Sequence, residues 1–181
     1  RFQRERAHET ETPVEILLFE RNPRPGIKIL ISGGGRCNIT HEGPVEAVLR
    51  EGFPRQAERR FLKSALYAYT NEDILHLLEH HGLAWHAREN GRIFPDSGRA
   101  EDVLAALEAE LRARRITVRT RTRVTAVTPR AQGFELSLEG SSDTVDVLIL
   151  ATGGMSYAKT GTSGDGIAYA EALGHRIVPV T

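Results

Sequence analysis

Short apolar runs alternate with longer polar stretches along this chain, and two of those runs end in glycine loops. Val14-Glu15-Ile16-Leu17-Leu18-Phe19-Glu20 is near-continuously apolar and closed by an acid, the pattern of a buried parallel strand. Asn22-Pro23-Arg24-Pro25-Gly26 breaks regular structure, and Ile27 to Ile31 is a short apolar segment whose type the pattern leaves open. Glu58 to Tyr69 places Phe61, Leu62, Ala65 and Leu66 at helical spacing. Asn71 reads as the N-cap of a second helix, with Glu72 and Asp73 in its first turn and Gly82 beyond its end. Leu83 to His86 and Arg92 to Phe94 read as short strands around Glu89-Asn90-Gly91. Arg99 to Arg114 is the clearest helix: Val103, Leu104, Leu107 and Leu111 form one face, acids open it and arginines close it.

The pattern then changes period. Ile116 to Val118, Arg123 to Thr128 and Phe134 to Leu138 read as strands, punctuated by Gly133 and a loop over Glu139 to Asp143. Asp146 to Leu150 is a second buried-strand run, Gly164 to Leu173 a helix closed by Gly174, and Arg176 to Val178 a short strand. Residues 1–12 are polar and read as a helix end and a loop. The class is α/β. The expected organisation is a cofactor-binding domain over 1–40 and 96–181, interrupted by a helical insertion over 41–95, with a small β-meander in the second part.

The glycine loops carry the candidate chemistry. Ser32-Gly33-Gly34-Gly35-Arg36-Cys37-Asn38 offers bare backbone N–H groups, a hydroxyl, an amide and a cation, a set that can hold a pyrophosphate or flavin carbonyls. The alternative is a tight surface turn. Ala151-Thr152-Gly153-Gly154 follows the second buried run, at the carboxyl end of a strand, where open α/β sheets bind ligands. Glu20 stands where dinucleotide folds place a ribose-binding acid; a solvated strand-end acid is the other reading. Thr160 to Gly166 leads into a helix, so Asp165 either caps that helix or meets a ribityl hydroxyl. The run lacks the Gly-Lys-Ser/Thr ending of a P-loop, which excludes that class of nucleotide site.

Composition narrows the picture. Lysine plus arginine equals aspartate plus glutamate at 24 each, so no global basic field points to nucleic acid. No apolar run reaches the length of a bilayer span, and one cysteine, Cys37, forms no internal disulfide; cytoplasm is the expected compartment. Cys37 has no second cysteine for dithiol chemistry and reads first as a packing residue. His76 and His80 have i, i+4 spacing but no third ligand, so no metal site is expected. Arg119, Arg121 and Arg123 alternate as on a solvated strand face. The chain begins without Met and reads as an excerpt of a longer protein.

Three strings, LLFERNPRPGIKILISGGGRCNIT, GRIFPDSGRAEDVLAAL and LILATGGMSYAKTGTSGDGIAYAEALGH, resemble the FAD-binding oxidoreductase family of aminoacetone-oxidase-like and bile-acid-reductase-like flavoproteins. The resemblance runs in order over nearly the whole chain. It implies a glutathione-reductase-type FAD domain of Rossmann-like form. It places Glu20 at the adenosine ribose, and Lys28, Ser32, Gly33, Gly34, Gly35, Arg36, Cys37 and Asn38 along FAD. Val124 would touch the adenine side through its backbone, Ala151, Thr152, Gly153 and Gly154 would close over the cofactor, and Gly161 and Asp165 would face the flavin ring. NAD(P)H is the candidate reductant and a small organic molecule the substrate; no catalytic acid or base stands out.

Two departures qualify the match. Gly26-Ile27-Lys28 stands where the family has Gly-Arg-Lys, and the family's first strand with its G-x-G-x-x-G turn has no counterpart here. The competing readings are therefore a truncated, non-catalytic flavin- or nucleotide-binding module, and a NAD-binding domain without flavin. The expectation for the 181-residue piece alone is weak FAD binding or none, restored by the upstream segment.

Overall fold

The computed structural model describes residues 14–178. The helix end and loop expected over residues 1–12 lie outside them. Strand β1 (Leu17–Phe19) leads into helix α1 (Ile27–Ile31), a 3-10 turn over Ser32–Gly34 and strand β2 (Thr40–His41). Helices α2 (Val45–Gly52), α3 (Gln56–Ala68) and α4 (Asn71–His80) follow, then β3 (Trp85–Ala87), β4 (Arg92–Pro95) and α5 (Ala100–Ala113). The chain closes through β5 (Thr117–Arg119), β6 (Val124–Pro129), β7 (Phe134–Leu138), β8 (Ser141–Val145) and α6 (Asp165–Ala172). This is a mixed α/β architecture, as the periodicity predicted.

Three small sheets form among the described residues. β1 and β5 pair in parallel, with Leu17 opposite Thr117; β2-β4-β3 is antiparallel; β6-β7-β8 is the antiparallel meander. The main core lies where α4 and α5 meet α1. Leu78, Leu83, Ala100, Val103 and Ala106 are buried there, with Ile29, Leu30 and Ile39 packed against them. Cys37 belongs to the same cluster, so the first glycine loop is anchored in the core through its cysteine. Packing is thus the role the structure shows for that side chain.

Several expectations need correction. Thr70, not Asn71, caps α4: its hydroxyl accepts from the Asp73 N–H, and the Asp73 carboxylate accepts from the Thr70 N–H at 2.7 Å. That reciprocal capping box satisfies two donors at once, whereas one side chain at Asn71 would satisfy one. Asn71 is buried instead and donates to the carbonyls of His41 and Gly43, both at 3.0 Å. Thr70→Ala should lower stability by about 1 kcal/mol, read as a shifted urea midpoint with unchanged slope.

Glu139 to Asp143 is not a loop throughout, since Ser141–Val145 forms β8, antiparallel to β7. An edge strand facing water can be polar, so hydrophobic periodicity misses it. Conversely, Asp146 to Leu150 forms no strand. Val147 is 76% and Ile149 82% exposed, and no strand among the described residues pairs with them. An apolar run marks a willingness to be buried; strand geometry also needs a ladder partner. Arg176 to Val178 is likewise outside any strand. Phe61 was expected on an apolar face, but only Leu62 and Leu66 of that set turn inward, and Phe61 is 85% exposed. Arg119 and Arg123 are not merely solvated: Arg119 pairs with Asp143 at 2.5 Å, and Arg123 with Asp165 at 3.1 Å.

Candidate functional site

The first glycine loop is shaped by backbone that only glycine adopts cheaply. Gly33, Gly34 and Gly35 all have positive φ, at 57°, 68° and 84°. A Cβ at Gly33 would press on the Asn38 nitrogen at 3.0 Å and the Phe94 ring at 3.2 Å, while one at Gly34 would meet nothing within 4 Å. Gly33 is therefore required by packing. Gly34 presents open backbone. The Gly35 carbonyl accepts the Ala100 N–H at 2.9 Å, which fixes the loop to the start of α5. Ser32 donates to the Ile29 carbonyl, and Arg36 and Asn38 stand exposed beside the loop.

Lys28 links this region to the second loop. Its Nζ donates to Ser156 Oγ at 3.0 Å, bridging the helix before the first loop to the residues after Ala151-Thr152-Gly153-Gly154. All four of those residues are exposed. Thr152 and Gly153 line an open cavity of about 700 Å³ together with Phe61, Leu150, Gly166 and Ile167. Gly166 must lack a side chain, because a Cβ there would run into the Thr152 hydroxyl. The second loop is thus seated directly against the N-terminal turn of α6.

A third group sits at the end of β1. Glu20 continues the ladder through its N–H to the Arg119 carbonyl, and its carboxylate accepts the Asn22 N–H at 2.8 Å. Asn22 in turn donates to the Thr160 carbonyl at 3.1 Å, and Arg21 to Ser163 Oγ at 2.8 Å. Asp165 does not cap α6, whose N-cap is Gly164 with no side-chain bond. It binds Ser163, Arg123 and Arg21, and these hold its carboxyl below the usual range, the Ser163 hydrogen bond contributing most. Val124 lies at the start of β6, and its carbonyl accepts the Tyr169 hydroxyl at 2.6 Å. Gly161, with φ 94°, packs on the Asn22 amide.

The predicted residues thus form two clusters. Glu20, Gly161 and Asp165 gather at the end of β1, and Lys28 brings the first loop to the second. Sequence reasoning missed Arg21, Asn22, Arg123 and Ser156, whose side chains make these connections. The only local sign was that Arg21 and Asn22 directly follow Glu20. Of the histidines at the end of α4, His76 pairs with Glu79, His80 stacks edge-on with His81, and His81 bonds Glu110 at 2.6 Å.

A depressed carboxylate contributes stability that is complete above its unfolded pKa and lost as pH falls through its folded value. For Asp165 the unfolded value is near 3.8. Acidification from pH 6 to pH 3 should therefore weaken the chain, and Asp165→Asn should shrink that drop. Urea midpoints of both proteins at the two pH values measure it.

Comparison with known proteins places this arrangement. The family model described as HI0933-like protein Rossmann domain matches residues 5–181. The chain is 35% identical over 164 residues to the ribosomal RNA dihydrouridine synthase of Escherichia coli K12, covering 91% of this chain and 40% of that protein. It is 34% identical over 174 residues to the 3-dehydro-bile acid delta(4,6)-reductase of Clostridium scindens, covering 96% and 41%. A ribosomal RNA dihydrouridine synthase of Haemophilus influenzae is 32% identical over 169 residues. The chain spans about two fifths of the length of these relatives. With a match across residues 5–181, the chain belongs to the HI0933-like Rossmann-domain family.

Proposed function

We propose that the chain forms part of the FAD site of an oxidoreductase that saturates a carbon–carbon double bond conjugated to a carbonyl. The observation that carries the cofactor reading is the Lys28–Ser156 bridge between two loops of open glycine backbone. Bare N–H groups, hydroxyls and cations suit a ligand with a diphosphate, a ribityl chain and ring carbonyls. On this reading Glu20 holds the adenosine ribose with Val124 near the adenine. Lys28, Ser32 and residues 33–38 follow the diphosphate and flavin, residues 151–154 close over them, and Gly161 and Asp165 complete the wall.

The reaction class is inferred from the relatives' names. Dihydrouridine is uridine with its C5–C6 bond saturated, and a bile acid delta(4,6)-reductase acts on double bonds in conjugation with an oxo group. FAD held by these residues would, once reduced, supply hydride to such a double bond, with NAD(P)H as the candidate source of the electron pair and a proton completing the saturation. The chain's own residues bind and orient: the cationic groups neutralise the diphosphate, and the Thr152–Gly166 contact holds the second loop in place.

Titration of FAD into the full-length gene product, followed by flavin absorbance, tests the cofactor. Saturable loading is expected, and a protein that stays colourless overturns the proposal. Anaerobic NADPH or NADH with a panel of enones then tests the reaction. Flavin that binds but is never reduced or reoxidised identifies a non-catalytic module instead.

A further inference from the structure

The sheet β2-β4-β3 carries a row of basic side chains across its strands. In the register of β3 and β4, His86 lies opposite Phe94 and Ala87 opposite Ile93. Arg88 therefore falls opposite Arg92, and the Arg88 N–H donates to the Arg92 carbonyl at 2.9 Å. On the other side of β4, His41 of β2 pairs with Arg92. Residues directly opposite one another share a face, so His41, Arg92 and Arg88 form one row, with Phe94 two positions along on the same face. The His41 ring nitrogens each lie 2.8 Å from a backbone carbonyl, one of Glu42 and one of Asn90. Carbonyls only accept, so the protonated ring satisfies both contacts, and the Glu42 carbonyl contributes most to raising the His41 pKa.

Like charges directly opposite one another oppose strand pairing. The nearby acids do not relieve the two arginines. Asp96 bonds His86 at 2.8 Å, Glu42 and Glu51 act on His41, and Glu89 sits in the turn next to Arg88 without bonding it. Among the described residues, neither Arg88 nor Arg92 has an acidic partner, and both are exposed. Arg88 is nevertheless held in place: its guanidinium lies 4.2 Å from the centre of the Phe94 ring. That ring is 5% exposed and is the one a Cβ at Gly33 would touch. Phe94 is thus shared between Arg88 and the first glycine loop. A stacked guanidinium keeps its fork of donors free for an anion and has less freedom to lose on binding one.

We propose that Arg88 and Arg92 together bind a phosphate monoester, the 2′-phosphate that distinguishes NADPH from NADH. Two opposed guanidiniums match a group carrying a charge of about −2 at neutral pH, whereas a carboxylate would balance only one of them. Arginine is also the side chain that accommodates this phosphate in dinucleotide sites. A nucleotide anchored on the row lies one aromatic ring from the first glycine loop. NADPH there gives one hydride to the bound flavin and leaves as NADP⁺. The inference deepens the function proposed above by naming the reductant, and rests on it for the flavin that receives the hydride.

Two measurements on the full-length gene product test it. The first is calorimetric and needs no flavin chemistry: 2′,5′-ADP, which carries the 2′-phosphate, is titrated beside 5′-AMP, which lacks it. The parent should bind 2′,5′-ADP about tenfold more tightly, and Arg88→Gln and Arg92→Gln should each remove most of that preference while leaving 5′-AMP unchanged. The second is anaerobic stopped-flow reduction of the FAD-loaded protein. Either substitution should raise the half-saturating concentration of NADPH by about tenfold and leave reduction by NADH as in the parent, which also shows that the variants are folded. Equal affinity of the parent for the two probes overturns the proposal, as does a loss of NADPH and NADH reduction together in the variants. A protein that selects 2′,5′-ADP through these arginines yet takes up no FAD supports this inference and defeats the oxidoreductase reading. One that loads FAD and is reduced equally well by either nucleotide defeats this inference alone.

Discussion

Gly34→Glu should raise the dissociation constant for FAD at least a hundredfold while leaving the chain folded. A residue with a Cβ at φ 68° costs about 1–2 kcal/mol in backbone strain. Nothing lies within 4 Å of the position that Cβ would take, so no clash adds to the strain. What changes is the surface offered to the ligand. A carboxylate now stands over the open backbone proposed to meet the cofactor's diphosphate, and like charges at close range oppose binding strongly. Gly34→Ala separates the causes, since it carries the same strain without the charge and should weaken FAD far less. The measurements are an FAD titration and a urea midpoint for both variants. Gly34→Glu with parental FAD affinity would remove the first loop from the site.

Gly33 looks identical to Gly34 in the sequence but answers to a different constraint. Its Cβ would collide with Asn38 and the Phe94 ring, so substitution there should damage the loop itself. Strand and helix positions were legible wherever one residue pattern decides them: α5 through its apolar face, β6 and β7 through alternation, α6 between its glycines. What was not legible depended on partners distant in sequence. The polar strand β8 exists because β7 offers it a ladder, and the apolar run 146–150 remains irregular for want of one among the described residues. Site residues followed the same rule. The glycines announced themselves by composition, whereas Arg21, Asn22, Arg123 and Ser156 look like ordinary polar residues until the fold brings Ser163, Thr160, Asp165 and Lys28 to them.

Leu78→Ala should cost about 3 kcal/mol of stability, within the range for truncating a buried leucine to alanine. Leu78 is 1% exposed and shares its core cluster with Val103 and Ala106 of α5 and with Cys37. The cavity left behind thus opens within the core cluster that also holds Cys37 of the first glycine loop. Cys37 itself sits at φ 55°, a strained conformation for a residue with a side chain, and persists because the surrounding core holds it. Loosening that core should therefore release the loop before the rest of the chain unfolds. Leu136→Ala provides the comparison, because Leu136 is as well buried, at 2%, but lies in the β-meander on β7. Both variants should lose stability by a similar amount in urea. Under conditions where both remain folded, only Leu78→Ala should bind FAD more weakly, by about tenfold, which corresponds to about 1.4 kcal/mol. Equal FAD affinities in the two variants would mean that the core beneath Cys37 does not set the loop's geometry. In that case the positive φ values of Gly33, Gly34 and Gly35 would have to be maintained by the loop's own bonds, the Gly35 and Cys37 N–H groups donating to the Ser32 carbonyl.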